Sequence, residues 1–340
     1  MKTDVKSLTK EELALWLKDA GEPAYRGAQL FRWLHREKVC DFSAMTNLPA
    51  ALREKLAENA APLGLALRRE QVSSIDGTRK VLLEAGDGCL IESVSMLYEY
   101  GRSVCISSQA GCRMGCSFCA STLNGLVRSL SAGEMLEQVY FLERGEKEPV
   151  SHVVVMGMGE PFDNYENLLR FLRLLSDPEG RNLGARHITV STCGLVPGIR
   201  SFAEEGLQVN LAVSLHAADQ KKREALMPVA RSYALPELME ACRYYVGKTN
   251  RRITFEYSLV KDRNDGMEDV KQLISLLKGL NCHVNLIPVN EVRETGCRRP
   301  ERERIRAFRE ALEKAGIPVT LRRELGRDID ASCGQLRNRA

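Results

Sequence analysis

Apolar and polar residues change their spacing twice along this chain, and the changes divide it. Over residues 1–62 the spacing is helical: Thr9 with Glu12 three positions on is a capping box that opens a helix, Leu30, Phe31, Trp33 and Leu34 form a second apolar face, and Leu48 to Leu56 a third. Residues 63–101 turn strand-like. Lys80 to Leu83 and Cys89 to Met96 are β-rich runs, and Asp76-Gly77 and Asp87-Gly88 are dipeptides that hairpin turns favour.

From residue 102 onwards strand-like and helix-like segments alternate. Strands are expected at about 102–107, 152–158, 187–192, 208–216, 251–260, 283–290 and 317–323, with helical periodicity between them and a capping box at Ser131 and Glu134 before the first helix. Such β/α units make parallel strands joined by right-handed crossovers. The expected fold is α/β: a partial (β/α)6 barrel over 102–340, preceded by a small N-terminal helical domain over 1–62 and a short β-rich linker over 63–101.

The unusual residues favour a barrel over an open doubly wound sheet. Cys112 to Cys119 follow the first strand, Gly159-Glu160 the second, Ser191-Thr192 close the third, Ser214 and His216 the fourth, and Asn290 the sixth. All fall at C-terminal strand ends, the face where such barrels carry their sites.

The chain has 340 residues, 44% apolar and 28% charged, enough for one large domain and an appendage. Its longest apolar runs, such as Val153 to Met156, fall far short of the roughly 20 residues that span a bilayer, and no apolar signal region follows Met1-Lys2-Thr3-Asp4. A soluble, cytoplasmic protein with no membrane partner is expected. Eleven cysteines are too many for packing alone, and the chain is too long for a disulfide-stapled secreted scaffold. Four of them, Cys105, Cys112, Cys116 and Cys119, fall within fifteen residues, which points to metal or redox chemistry.

Net charge is only +4, yet Arg298 to Ala340 holds eleven Arg and one Lys against seven acidic residues, a local excess of +5. The rest of the chain is therefore close to neutral. For Glu301 to Arg309, a solvated helix laced with i,i+4 ion pairs accounts for the pattern as well as a nucleic-acid contact does.

Cys112-Arg-Met-Gly-Cys116-Ser-Phe-Cys119 spaces three cysteines as C-x3-C-x2-C. Three thiolates on one loop can hold three irons of a [4Fe-4S] cube and leave the fourth open, and an open metal position is a catalytic one. S-adenosylmethionine can chelate that iron through its amino and carboxylate groups, and one electron then cleaves it to a 5′-deoxyadenosyl radical. The competing reading is a four-cysteine zinc site with Cys105, but the gap from Cys105 to Cys112 exceeds the usual zinc spacing.

The likeness extends further. Cys105-Ile-Ser-Ser-Gln-Ala-Gly-Cys112, the cluster motif, Met156-Gly-Met-Gly-Glu-Pro161, Arg186-His-Ile-Thr-Val-Ser-Thr192, Ser214-Leu-His216 and Asp328-Ile-Asp-Ala-Ser-Cys333-Gly-Gln-Leu336 resemble the RlmN family of radical-SAM RNA adenine C2-methyltransferases. Tyr25-Arg26 and Met45-Thr-Asn-Leu48 extend the resemblance to essentially the whole chain. It implies one [4Fe-4S] cluster on Cys112, Cys116 and Cys119. It implies S-adenosylmethionine held at its methionine amino end by Gly159 and Glu160, and elsewhere by Ser191, Ser214, Leu215, His216 and Asn290. It matches Glu92 to the family's proton acceptor. Taken singly, Gly159 reads as a turn, Ser191 and Ser214 as caps, His216 as a satisfied strand-end histidine and Glu92 as a solvent-facing strand residue.

The resemblance also implies two catalytic cysteines. Carbon 2 of adenine lies between two ring nitrogens and is too electron-poor to attack a sulfonium methyl. The family is understood to place the methyl first on a cysteine, here matching Cys333. A methylene radical formed there adds to the ring, and the product is released through a disulfide with a second cysteine, here matching Cys105. Without the resemblance Cys105 reads as a small buried hydrophobe, and Cys40, Cys89, Cys193, Cys242, Cys282 and Cys297 keep a bland reading.

The implied substrates are adenine 2503 of 23S rRNA and adenine 37 of certain tRNAs, presented unstacked or flipped. The basic C-terminal segment and the helical N-terminal unit are the expected RNA-gripping surfaces, and a flavodoxin or ferredoxin the expected reducing partner. The nearest rival is Cfr-type methylation at adenine carbon 8 by the same residues. A rival of another class is a non-catalytic iron-sulfur or zinc RNA-binding module, which has no use for Gly159-Glu160 or Ser214 to His216.

Overall fold

A computed structural model describes residues 2–61 and 63–337; residues 1, 62 and 338–340, which include the outer ends of the expected domains and of the basic C-terminal segment, lie outside the described residues. The helical unit forms as its caps direct. The side chain of Thr9 accepts from Glu12 N while Glu12 accepts from Thr9 N, which starts α1 (Lys10–Asp19). α2 (Arg26–His35) buries Leu30, Phe31 and Leu34, and α3 (Ala50–Asn59), entered through Pro49, buries Leu52 and Leu56. Trp33 stands at the edge of this core and donates to Asn47 Oδ1 at 2.5 Å.

The two Asp-Gly turns join β1 (Ala66–Val72), β2 (Arg79–Glu84) and β3 (Leu90–Tyr98) as antiparallel neighbours, with Gly77 and Gly88 at positive φ. β4 (Gly101–Ile106) pairs antiparallel with β3 on one side and parallel with the barrel on the other, so the linker continues the barrel sheet. A separate two-stranded ribbon, β5 (Gln109–Gly111) and β6 (Leu126–Ser129), brackets the cysteine loop.

The β/α alternation follows. α4 (Ala132–Glu143), capped by Ser131 and Glu134, leads to β7 (Val150–Val155), α5 (Tyr165–Ser176), β8 (Ile188–Thr192), α6 (Val196–Glu204), β9 (Asn210–Ser214), α7 (Gln220–Leu226) and α8 (Leu235–Thr249). β10 (Ile253–Leu259), α9 (Met267–Leu277), β11 (Cys282–Pro288), α10 (Arg302–Lys314) and the three-residue β12 (Val319–Leu321) complete it. The sheet runs β1-β2-β3-β4-β7-β8-β9-β10-β11-β12 and is parallel from β4 onwards. β12 pairs with β11 at one end of the order and β4 with β3 far from it, so the barrel is partial. The strand expected at 152–158 runs over Val150–Val155; just beyond it Gly157 N donates to Ile106 O at 2.9 Å, an approach so close that a Cβ would lie 2.7 Å from that oxygen.

The N-terminal unit shares one hydrophobic core with the barrel. Its polar contacts cluster on α4: Asp4 accepts from Ser131 Oγ at 2.6 Å, Gly133 N donates to Ser7 Oγ at 2.7 Å, and Lys6 forms a buried ion pair with Glu137. After β12 the chain becomes a strap, residues 325–337, that crosses back over β1–β3. Asp328 accepts from Ser73 Oγ at 2.6 Å and Ser74 N at 2.9 Å, and Gly326 N donates to Asp76 Oδ2 at 2.9 Å. Val94, Met96, Cys105 and Met158 pack against Leu325, Ile329, Ala331 and Leu336 of the strap in a second, smaller core. Among the described residues, no helix is long and apolar enough to cross a membrane.

Candidate functional site

The cysteine loop is shaped by its glycines. Gly111 sits at φ +78°, and a Cβ there would lie 2.0 Å from Gly125 O, so the ribbon can pinch only around a residue with no side chain. Cys112 N donates to Gly125 O at 3.0 Å and Ser117 N to Leu226 O at 2.9 Å, which fixes both halves of the loop. Cys112, Cys116 and Cys119 all face one cavity at the C-terminal ends of the barrel strands, with about 1540 Å³ of free space, its open mouth included.

Burial pushes the Cys112 thiol up to about 12. Cys116 is pushed well above its ordinary value by burial and then by the charges of Cys119 and Cys112, and burial raises Cys119 as well. Three mutually repelling soft donors on one wall of a roomy cavity need a shared cationic partner to ionise together, and a [4Fe-4S] cube is such a partner. Among the described residues, no three His, Cys, Asp or Glu stand in a geometry that would hold one metal ion. Cys105 is not part of the loop set: after burial, the charges acting on its thiol are those of Cys333 and Arg322.

Gly159 adopts φ +101°, and a Cβ would lie 2.6 Å from Gln109 Cβ. This close turn brings Glu160 into the cavity wall, where its carboxylate accepts from Phe162 N at 3.0 Å and Cys193 N at 2.7 Å. Burial pushes Glu160 up against the pull of those hydrogen bonds, and the carboxylate keeps lone pairs for a further donor. Ser191, next to last in β8, and Ser214, the last residue of β9, line the same cavity.

His216 does so from a left-handed backbone, φ +57°, with Nδ1 accepting from Ser258 N at 2.9 Å. That bond assigns the proton to Nε2, and burial followed by the nearby Arg223 holds the ring neutral, its pKa lowered to about 3. Asn290 lines the cavity too, with its amide donating to Cys333 O at 3.0 Å.

Two expected residues do not line this cavity. Leu215 is fully buried in the main core, with its N–H donating to Glu256 O at 3.0 Å and its carbonyl accepting from Ala217 N at 2.8 Å and Arg223 Nε at 3.3 Å. Glu92 lines a neighbouring polar cavity with Lys80, Asp330 and Arg337. It is also buried, not solvent-facing, because the strap covers this stretch of β3.

Cys105 and Cys333 do line the same cavity as the loop cysteines. Cys105, opposite Val94 in the β3–β4 register, is pushed up to about 12 by burial and then by the charge of Cys333. Cys333 remains accessible inside the cavity while protein crowds it, and that crowding raises its thiol against the pull of Arg322.

Arg322 was not singled out in the sequence, where it is one arginine in a basic segment. Burial works against its charge, yet Cys333, Glu256 and Cys105 together hold it above its ordinary value. Glu256, 3.8 Å from Arg322 Nη1, accepts from Asn285 Nδ2 at 2.9 Å. Cys193, a packing residue by sequence alone, lines the cavity beside Glu160. No spacing in the sequence marks these positions, because each is a single inward residue on a different element.

Two family models match. One for the ribosomal RNA large subunit methyltransferase N-terminal domain covers residues 3–61, and one for the radical SAM superfamily covers residues 106–277. A probable dual-specificity RNA methyltransferase RlmN of Lachnospira eligens is 52% identical over 337 residues, 99% of this chain and 96% of that protein. The protein of the same description from Geobacillus kaustophilus is 54% identical over 334 residues, 97% of this chain and 91% of its own. The crystal structure of a radical SAM methyltransferase from Sphaerobacter thermophilus superposes with a TM-score of 0.95 at 47% identity, covering 98% of this chain and 99% of that one.

Proposed function

Because the chain belongs to the RlmN family of radical-SAM methyltransferases, we propose that it methylates RNA at carbon 2 of an adenine, with adenine 2503 of 23S rRNA and adenine 37 of tRNAs as substrates. The observation that carries this reading is that Cys105 and Cys333 line the cavity faced by Cys112, Cys116 and Cys119. A methyltransferase acting on an oxygen or an amine has no use for three loop cysteines with Cys105 and Cys333 facing the same cavity, which Cys193 also lines. A ring carbon that cannot attack a sulfonium gives two of them a task.

Cys112, Cys116 and Cys119 would hold a [4Fe-4S] cluster, and Gly159, Glu160, Ser191, Ser214, His216 and Asn290 would hold S-adenosylmethionine, with Leu215 anchoring the turn between Ser214 and His216 in the core. When bound, these groups supply the methyl group and the 5′-deoxyadenosyl radical. The chain does the rest. The Cys333 sulfur accepts the methyl as a thiolate, with the guanidinium of Arg322 favouring its charge. After loss of a hydrogen atom, the Cys333 methylene joins carbon 2 of the ring. Glu92 accepts the ring proton, the Cys105 thiolate bonds to the Cys333 sulfur as the carbon–sulfur bond breaks, the freed carbon takes up a proton to become the methyl group, and the single electron that opened the turnover is given back.

His216, neutral and carrying its proton on Nε2, is a donor into the cavity across the working pH range. The helical N-terminal unit and the basic C-terminal segment would grip the RNA through phosphate contacts. The test is anaerobic reconstitution with iron, sulfide, S-adenosylmethionine, a reduced flavodoxin and an RNA stem-loop carrying the target adenine. Formation of 5′-deoxyadenosine together with 2-methyladenosine supports the reading. 8-Methyladenosine would move the chain to the Cfr-type reaction, and RNA binding without either product would make it a binding module.

A further inference from the structure

Glu92 has a cavity of its own. About 620 Å³ of free space, open mouth included, lies between β1–β3 and the strap and is walled mostly by polar groups. Neighbouring strap residues face opposite ways: Ala331 and Leu336 line the cysteine cavity, while Asp330, Gln335 and Arg337 line the polar one. The strap that carries Cys333 is thus the wall between the two.

Lys80 stands beside Glu92 in this second cavity. Leu82 is the β2 partner of Glu92, so Lys80 projects from the same face two residues along. Its Nζ lies 3.5 Å from Glu92 Oε1 and donates to Asp330 O at 3.2 Å, and the two side chains are only 8% and 6% exposed. The other groups facing the carboxylate are the Arg337 main-chain N–H, which donates to Oε2, the Arg337 guanidinium, and Arg69 and Asp330 on the cavity wall. A buried lysine and carboxylate in a sheet are usually no more stabilising than an apolar pair, so their presence directly under the strap calls for a chemical reason.

We propose that Lys80 is the positioning residue for Glu92: it holds the buried carboxylate in place directly under the strap and favours its ionised form, and the polar cavity behind it carries the ring proton out to solvent. The inference rests on the reading of Glu92 as proton acceptor given above. In the step concerned, the carbon 2 to hydrogen bond of the tethered ring breaks, its electron pair stays in the ring, and the proton passes to Glu92 Oε2 as the strap yields the Arg337 N–H bond. The proton then leaves through water in the polar cavity, and no electron is exchanged. Burial raises the Glu92 carboxyl above its ordinary value, towards the neutral form that cannot accept a proton, and the Lys80 charge is foremost among the groups that limit the rise.

The experiment follows release of product from the Cys333-linked adduct as a function of pH, using the cluster-loaded enzyme with methylated Cys333 and an RNA stem-loop carrying the target adenine. Lys80→Gln keeps a donor for Asp330 O but loses the charge. It should retain iron and Cys333 methylation, accumulate covalent protein–RNA product, and show the rise of release with pH displaced upward. One unit of displacement slows release about tenfold at a fixed pH below the rise. Lys80→Arg should restore the wild-type profile, and Glu92→Gln should stall at every pH.

A wild-type profile in Lys80→Gln, or slowing without displacement, overturns the proposal and leaves Lys80 as a pin for the strap. Should Lys80→Gln fail to hold its cluster, Lys80→Arg decides: adduct accumulation in a cluster-loaded Lys80→Arg enzyme overturns the proposal, since the charge is still present. Normal release by Glu92→Gln would remove the reading of Glu92 itself, and with it this inference.

Discussion

The main-chain N–H of Ala120 donates to the carbonyl of Gly334 at 2.8 Å. Ala120 follows Cys119 and Gly334 follows Cys333, so the cysteine loop and the strap are joined one residue past a thiol on each side. Ser121 Oγ repeats the link to Leu336 O at 2.8 Å. Neither link uses the Cys333 side chain, so removing that side chain leaves both intact, whereas disordering the loop releases the strap. That asymmetry separates the first two predictions.

Cys116→Ala should lose the cluster, because two thiolates hold a four-iron cube poorly and each open iron invites its loss. Iron, sulfide and 5′-deoxyadenosine formation fall together, and the strap, freed from Ala120 and Ser121, becomes more sensitive to limited proteolysis. A Cys116→Ala protein with full iron and sulfide would end the assignment of the loop.

Cys333→Ala should keep iron, sulfide and the proteolytic resistance of the strap while RNA methylation disappears. Mass spectrometry of the wild type is expected to find one extra methyl on the peptide containing Cys333. An extra methyl on another cysteine, or an active Cys333→Ala enzyme, would defeat the methyl-carrier role.

Gly159→Ala places a Cβ 2.6 Å from Gln109 Cβ at a backbone angle that side chains rarely adopt. Strain and clash of this kind cost about 1–3 kcal/mol. The melting temperature should fall, and S-adenosylmethionine affinity should fall further than the stability loss explains, since Gln109 also holds Glu160 N at 2.9 Å. Calorimetric unfolding and equilibrium binding on the same protein check the two parts, and unchanged binding would free Gly159 from its ligand role.

Glu143 ties three parts of the fold together: it accepts from Arg181 Nη2 at 2.7 Å, Lys38 Nζ at 3.0 Å and Val150 N at 3.1 Å. Burial pushes its carboxyl up, but the Arg181 and Lys38 interactions prevail and hold it below the ordinary value of 4.5. A carboxyl lowered on folding stabilises the fold fully above its unfolded value, and the gain is lost as pH falls through the folded value. Glu143→Ala should therefore be less stable than wild type by about 3–5 kcal/mol at neutral pH, as a broken buried pair is. The gap should narrow in acid below about pH 4. Urea titrations at several pH values measure it, and a gap independent of pH would assign the loss to packing.

What the sequence disclosed and what it hid follow from how each feature is encoded. The capping boxes at Thr9 and Ser131, the Asp-Gly turns and the cysteine spacing are local, so a window of a few residues contains the physics. The polar positions at strand ends were legible because a parallel barrel sends every such end to one face. The covering of Glu92 was not legible. It depends on a strap more than two hundred residues away, held by Asp328 and Asp76 on hairpin residues that read as ordinary turn positions. Arg322, Glu256 and Lys80 were hidden for the same reason, since a lone charged residue inside a strand looks solvent-facing until its neighbours are known.

Cys105→Ala distinguishes three readings of one thiol. If Cys105 only fills the small core under the strap, the substitution leaves a small cavity, costs about 1 kcal/mol and preserves most activity. If it were a zinc ligand, the variant would lose metal. If it takes the sulfur of Cys333 away from the product, both the cluster and Cys333 methylation survive. The methylene then still adds to adenine, and the reaction stalls with RNA joined to Cys333, because the thiol that takes the Cys333 sulfur away is gone. The variant is expressed in cells, purified under denaturing conditions and examined for nuclease-sensitive RNA on the protein. RNA that vanishes in the Cys105→Ala, Cys333→Ala double variant supports the resolving role, while an active, RNA-free Cys105→Ala enzyme returns Cys105 to the core.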